Sequence, residues 1–399
     1  METLNAHLTY CTNIHAGESW HDHFAALQQN FPAIKKDLSP DNKMGIGLRL
    51  SNEASTELIK EGNLNVFKTW LTENGAYVFT MNGFPYGGFH HTRVKDDVHT
   101  PDWTTRERVE YTKRLFNILV ALLPEGLDGG VSTSPLTYRH WFKPDSQELA
   151  EARKTATEHF IEVAEHLIKL KKETGLTLHL DIEPEPDGLL ETGAEFIEWF
   201  LQDLVPKGQN MLANKFSISL QEAEEALREH IRLCYDICHF AVGYEVHAEV
   251  LKELKKQEIK VGKIQISAAL KASLRANRNA VKEAFSNFNE STYLHQVVAR
   301  TNSSGLIRYP DLPQALQDAD NPAVEEWRAH FHVPLFIEDL GALQTTQNDI
   351  SELIKLFNAD PFTNHLEVET YTWEVLPEQL KLPIKQSIIR ELQWVKGLL

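Results

Sequence analysis

The stretch Leu233-Cys234-Tyr235-Asp236-Ile237-Cys238-His239-Phe240 reads as a buried strand that ends by presenting an acid and, three residues on, a histidine. Two other strand-like runs also place carboxylates where a strand would stop: Leu178-His179-Leu180-Asp181-Ile182-Glu183-Pro184-Glu185 and Leu366-Glu367-Val368-Glu369-Thr370. Acids and a histidine at the ends of several separate strands point to a metal or acid–base site at the mouth of an α/β barrel.

Working outward, strand-like and helix-like patterns alternate along the chain, as in βα units around a parallel sheet. Strand patterns fall at 8–12, 45–50, 76–81, 129–135, 178–183, 232–236, 263–267 and 366–370. Ser19 is a candidate N-cap, Ser219 and Glu222 have capping-box spacing, and Gly175 is placed to stop the long helical run 147–173. A closing helix is expected over 383–398. Eight strands with intervening helices predict a (β/α)8 TIM barrel occupying 1–399 as a single unit. One segment breaks the rhythm. Three extended runs at 293–300, 305–309 and 329–336 predict an insertion of about 291–336 between strands seven and eight, near the active face.

Composition narrows the function. Hydrophobic residues make up 42% and charged residues 24%, the proportions of a soluble enzyme. A formal net charge of −17 argues against nucleic acid as a partner, because phosphate neutralisation needs clustered Lys and Arg. It argues equally against an anionic membrane surface. The apolar stretch at 116–124 is too short to span a bilayer. Cys11, Cys234 and Cys238 form no disulfide framework and no zinc-ribbon pair, so they read as small core fillers. The first residues carry neither a basic start nor an apolar run, which makes the cytoplasm the expected compartment.

Alternation within the strands is more telling than their number. His179, Asp181 and Glu183 share one face, and Leu178, Leu180 and Ile182 the other. Lys263, Gln265 and Ser267 oppose Ile264 and Ile266; Glu367 and Glu369 oppose Leu366 and Val368. In a barrel the apolar face packs on the helices and the polar face points into the lumen. Acids there need cations or hydrogen bonds, and a divalent ion would satisfy several at once.

At these residues the chain resembles the xylose-isomerase-like barrels, a superfamily of sugar isomerases, epimerases and apurinic-site endonucleases. The resemblance implies metal ligands at Glu183, Asp236, Gln265 and Glu369, with His239 completing an Asp-x-x-His pair. Gln265 stands where that superfamily usually has a histidine. Its amide oxygen suits a hard ion, so Mg²⁺ or Mn²⁺ is expected ahead of Zn²⁺. Over nearly its whole length the chain also resembles the family called metabolite traffic protein EboE, tied to gene clusters that process or export secondary-metabolite precursors. That likeness rests on Leu8-Thr9-Tyr10-Cys11-Thr12-Asn13-Ile14-His15, Asn82-Gly83-Phe84-Pro85-Tyr86-Gly87, Tyr293-Leu294-His295-Gln296, His330-Phe331-His332-Val333-Pro334 and Val368-Glu369-Thr370-Tyr371-Thr372-Trp373. The apurinic endonucleases carry an Asp-x-His pair between strands seven and eight, and His330-x-His332 sits in that interval. Their further histidine ligands are matched here by Asn82 and Ser134, which leaves a three-metal cluster incomplete.

Each candidate has a bland alternative. Glu183 and Glu369 are read as ligands and proton-transfer groups against the alternative of barrel salt bridges. Glu367 is assigned a structural place deeper in the barrel or beside Lys263. His239 is a ligand, a substrate contact or a core histidine. His330 and His332, two apart, would share a strand face and ligate metal, or simply bond within the insertion. Glu185 orients substrate or is a loop acid. His15 and His295 line the substrate or are structural. Arg139 and Lys271 would hold an anionic group, unless they are solvated cations. His90 and His91 form part of a lid or an exposed loop. Together these readings predict a divalent-metal isomerase or epimerase acting on a small polyol-like compound through an enediolate. A non-catalytic metabolite carrier and a metal-dependent phosphodiesterase are the alternatives.

Overall fold

The structure is a computed structural model, and it describes residues 1–60, 62–90, 92–275 and 277–399. Glu61, His91 and Ala276 lie outside the described residues, and with His91 goes half of the expected His90–His91 pair.

Seven strands come first: β1 (His7–Tyr10), β2 (Met44–Arg49), β3 (Ala76–Asn82), β4 (Gly129–Thr133), β5 (Leu178–Ile182), β6 (Ile231–Asp236) and β7 (Val261–Ile266). Six short strands follow: β8 (Leu270–Ser273), β9 (Val297–Thr301), β10 (Leu306–Tyr309), β11 (Val324–Ala329), β12 (Asp339–Leu340) and β13 (Leu343–Thr345). The last is β14 (His365–Val368). The first seven and β14 form one sheet in the order β1-β14-β7-β6-β5-β4-β3-β2, with every pair parallel. The seam between β1 and β2 is closed largely by a side chain. Thr9 Oγ1 donates to Gly45 O at 2.8 Å and accepts from Gly47 N at 3.0 Å, beside a single Cys11–Gly47 bridge. The eight-stranded (β/α)8 barrel expected from sequence is the observed fold.

The helix signals also hold. Ser19 accepts from Asp22 N, Ser219 and Glu222 form a capping box, and Gly175 ends the helix Gln147–Thr174 at φ +75°. Leu178, Leu180, Ile182, Ile264, Ile266, Leu366 and Val368 join the apolar core. Their alternating neighbours Asp181, Lys263, Gln265 and Glu367 are equally buried, on the lumen side. Two glycines make room for these acids. A Cβ at Gly262, where the register of β7 against β6 shifts, would lie 1.8 Å from Asp181 Oδ1, and one at Gly47 would lie 2.0 Å from Glu367 Oε1.

The insertion is larger than its extended runs predict. Strands β8 to β13 form a second sheet, antiparallel throughout, in the order β10-β9-β11-β8-β13-β12, so the element opens at Leu270 and closes at Thr345. Strand β8 escapes sequence reading because it is four residues long and only three residues separate it from the end of β7. The run at 329–336 is also corrected: β11 stops at Ala329. Beyond it His330 N still bonds Gln296 O, next to β9, at 2.9 Å, but Val333 N turns to Ala268 O at 3.1 Å, and Pro334 has no N–H to offer. His330 and His332 therefore sit on a connecting segment rather than in a strand, yet their rings still meet, with centroids 5.5 Å apart.

Candidate functional site

The carboxyl ends of the barrel strands converge on one cavity. Asn82 is the last residue of β3, Asp236 the last of β6, and Glu183 and Glu369 directly follow β5 and β14. One ligand atom each from Glu183, Asp236 and Glu369 lie within 4.8 Å of one another, and all three residues are buried. Among the described residues no lysine or arginine forms an ion pair with any of them. The contacts of that kind are imidazole only, His239 Nδ1 at 3.7 Å from Glu183 Oε1 and His239 Nε2 at 3.9 Å from Asp236 Oδ2.

Hydrogen bonds fix these acids. Asp236 caps the helix Ile237–Val242: its Oδ1 accepts from His239 N at 3.3 Å and from Ser267 Oγ at 2.6 Å. Its Oδ2 has no hydrogen-bond partner. Glu369 Oε1 accepts from two amides, Asn13 Nδ2 and Asn82 Nδ2, each at 2.8 Å. Burial, with the neighbouring acids, raises Glu183 and Glu369 well above the ordinary carboxyl range. Burial pushes Asp236 the same way, but His239, His332 and its own hydrogen bonds outweigh that push and hold it low.

Histidines form the adjoining wall. His239 Nδ1 lies 2.9 Å from Pro184 O and its Nε2 3.1 Å from His330 Nε2. His330 Nδ1 faces Gln296 Oε1 at 2.8 Å. His332 Nδ1 donates to Glu369 O at 3.0 Å, which leaves its buried Nε2 unpartnered. Burial lowers His332 to about 4 and His330 well below its usual value, so both are neutral nitrogen donors at pH 7. Asp236, His239 and His332 form a second group of ligand atoms within 4.8 Å, and Glu185, His239 and His330 a third.

The donor chemistry fits a divalent ion. Among the described residues the three hard carboxylates have no lysine or arginine partner; one of their oxygens, Asp236 Oδ2, is orphaned, as is the imidazole nitrogen His332 Nε2 beside it. Gln265 lies lower in the lumen, where its Oε1 accepts from the Cys234 thiol at 2.9 Å while its Nε2 has no partner. Cys234 is thus a hydrogen-bond donor beneath the site as well as a core filler.

The remaining candidates separate. Glu185 lines the cavity with His99 Nε2 3.0 Å away. His295 braces the histidine wall, contacting His330 O at 2.9 Å and Glu290 Oε1 at 2.7 Å. His15 meets the Tyr10 hydroxyl at 3.2 Å, away from the cavity lining. Arg139 is consumed on the outer rim by Glu191 at 3.3 Å and Glu195 at 2.9 Å, and Lys271 stands in β8 opposite Arg328 and Gln344. His90 is buried, its Nε2 2.6 Å from Asn13 O, so it is no exposed loop residue. Sequence reading missed Asn13, His99, Lys95 and the aromatic wall. Asn13 carried one signal, an amide three residues beyond an acid-free strand end.

No protein-family model matches this sequence, and no curated protein does. Solved structures match over nearly the full length. A D-tagatose 3-epimerase-like protein aligns with 98% of this chain and 96% of its own at 9% identity and TM-score 0.50. A xylose isomerase-like TIM barrel protein from Mycobacterium smegmatis, solved in complex with magnesium, aligns with 100% and 98% at 10% identity and TM-score 0.50. At such identities the likeness establishes the fold alone, a TIM barrel.

Proposed function

We propose that this chain is a divalent-metal isomerase or epimerase acting on a small polyol-like compound or metabolite precursor through an enediolate. The observation that carries the reading is the meeting of Glu183, Asp236 and Glu369 in one buried cup where, among the described residues, no lysine or arginine pairs with them. Burying three carboxylates together is strongly unfavourable unless protons or a cation compensate. Glu183, Asp236 and Glu369 would hold Mg²⁺ or Mn²⁺, and Zn²⁺ also suits the set. Gln265 would join them only by releasing the Cys234 thiol, whereas His332 Nε2 is already free beside Asp236. When bound, the ion supplies Lewis-acid polarisation of a carbonyl and charge stabilisation of an enediolate.

The chain's own residues supply the rest. Glu183 and Glu369, drawn from different strand ends, remove and return the α-carbon proton. Asn13 and Asn82 fix the Glu369 carboxylate with two donors on one oxygen, which leaves the other for chemistry. His239 is held by Pro184 O and can meet a substrate hydroxyl. The EboE-like segments form part of this reading, since they supply Asn13, Asn82, His330, His332, Glu369 and Tyr371.

The test is proton exchange. Mn²⁺-loaded protein incubated in D2O with α-hydroxy ketones should wash deuterium into the α-position, and Glu183→Gln should stop it. Retained metal with no exchange across a ketose panel would favour a carrier role. A metal-dependent phosphodiesterase has one specific observation behind it, the sharing of Asp236 with His239 and His332 in a second ligand group. It requires two or more ions per chain, whereas the isomerase reading requires one.

A further inference from the structure

Above its acidic floor the cavity changes character. About 60 Å³ of it is open to a water-sized sphere, and about 560 Å³ counts the solvent at its mouth as well. Phe84 and Phe89 from the turn after β3, Val94 and Val98 from the following loop, Leu294 before β9 and Tyr371 after β14 line the upper part. Phe89, Tyr293 and Tyr371 pack as a cluster of three rings, with centroids 5.4, 5.2 and 5.1 Å apart.

Polar groups beside Phe89, Leu294 and Tyr371 are already engaged. Lys95 Nζ donates to Asp311 Oδ2 at 2.7 Å and to Glu290 O at 3.4 Å. Gln296 donates to Pro186 O at 2.9 Å, and its oxygen faces His330 Nδ1 at 2.8 Å. The Tyr293 hydroxyl donates to Phe89 O at 3.0 Å. A polyhydroxylated chain reaching this wall would lose its water hydrogen bonds without replacement, whereas an apolar group would gain. Unpartnered polar atoms lie toward the floor, on Asp236, on His332 and on Asn13, which touches Glu369, and a further such atom among the lining residues, His99 Nδ1, stands beside Phe84, away from Phe89, Leu294 and Tyr371.

We propose that the ligand is amphipathic: an α-hydroxy-carbonyl head seats on the three carboxylates, and a flat apolar group of about one ring lies against Phe89, Leu294 and Tyr371. The placement of the head rests on the function proposed above; the apolar end rests on the wall alone.

Two small ketones separate the parts. 1,3-Dihydroxyacetone and 2-hydroxyacetophenone share the α-hydroxy ketone and differ in carrying a hydroxymethyl or a phenyl group. Calorimetric titration of Mn²⁺-loaded protein should show the phenyl compound binding at least tenfold more tightly, and Leu294→Ala should narrow that ratio. Equal affinities, a preference for dihydroxyacetone, or binding of neither would overturn the proposal. Deuterium exchange into dihydroxyacetone reports on the floor alone. Exchange without a phenyl preference leaves the enediolate reading standing and removes this one; a phenyl preference without exchange does the reverse.

Discussion

Lys263 Nζ lies 2.5 Å from Glu367 Oε2 inside the barrel, and neither side chain reaches solvent. The ammonium also bonds Ser132 Oγ at 3.1 Å and Met81 O at 3.2 Å, so its donors are spent within the lumen. It sits below the three site carboxylates without pairing with any of them. Removing one partner of such a pair leaves a buried charge uncompensated. Lys263→Met should therefore lower unfolding stability by about 3–5 kcal/mol in chemical denaturation. Lys263→Met combined with Glu367→Leu should recover much of the loss. Equal losses in both variants would show that packing, not charge, dominates this layer.

Metal retention tests the ligand set. Asp236→Asn keeps an oxygen to accept from His239 N and Ser267 Oγ, so the cap on the following helix survives while the negative charge goes. Glu183→Gln is similarly close in shape. Each should cut Mn²⁺ affinity by more than about 100-fold with unchanged circular dichroism, whereas Asn13→Ala, which removes only a donor to Glu369, should cost about 10–100-fold. Elemental analysis of the purified variants measures this. Parent-like ion content in Asp236→Asn would remove that residue from the set.

Much of this arrangement was legible because strand periodicity and burial speak the same language. Acids alternating with Leu, Ile and Val can only face a lumen, so Asp181, Glu183, Glu367 and Glu369 announced their side of the barrel before any coordinates did. Asp236 did so by ending an apolar strand. Other features were invisible for a physical reason: their partners lie far along the chain. Asn13 and Glu369 are 356 residues apart in their hydrogen bond, and nothing local to either predicts it. Arg139 looked available until folding brought Glu191 and Glu195 to it. Strand β8 is held by β11 and β13 rather than by its own pattern, so the second sheet could not be bounded from sequence.

Metal binding should release protons. Glu183 and Glu369 hold theirs above the ordinary carboxyl range, chiefly because both are buried beside other acids. A divalent ion binds the ionised forms, so protons leave as it enters. Affinity should therefore rise with pH through the weakly acidic and neutral range and fall as the site is acidified. Titrations in buffers of different ionisation enthalpy would count the protons. A count of zero at pH 6 would mean that the carboxyls are already ionised without the ion.

Stability should carry its own pH signature, set by Glu391, a buried carboxyl outside the ligand set that bonds Thr370 beside Glu369. This residue lies on the closing helix Ile384–Lys396, 1% exposed, with Oε1 accepting from Thr370 Oγ1 at 3.0 Å and from Leu335 N at 3.4 Å. Burial lifts its carboxyl to about 8 against those two hydrogen bonds. In the unfolded chain it titrates near 4.5. Between those values the native state holds a proton that the unfolded state has lost, so the slope of stability against pH is negative. The contribution is complete below the unfolded value and is lost as pH rises through about 8. Glu391→Gln keeps the shape and the acceptor oxygen but cannot ionise. It should flatten the decline between pH 5 and 8 and leave the variant more stable than the parent at pH 8, by on the order of 4 kcal/mol. Parallel stability curves for the two proteins would show that this carboxyl is ionised in the folded chain.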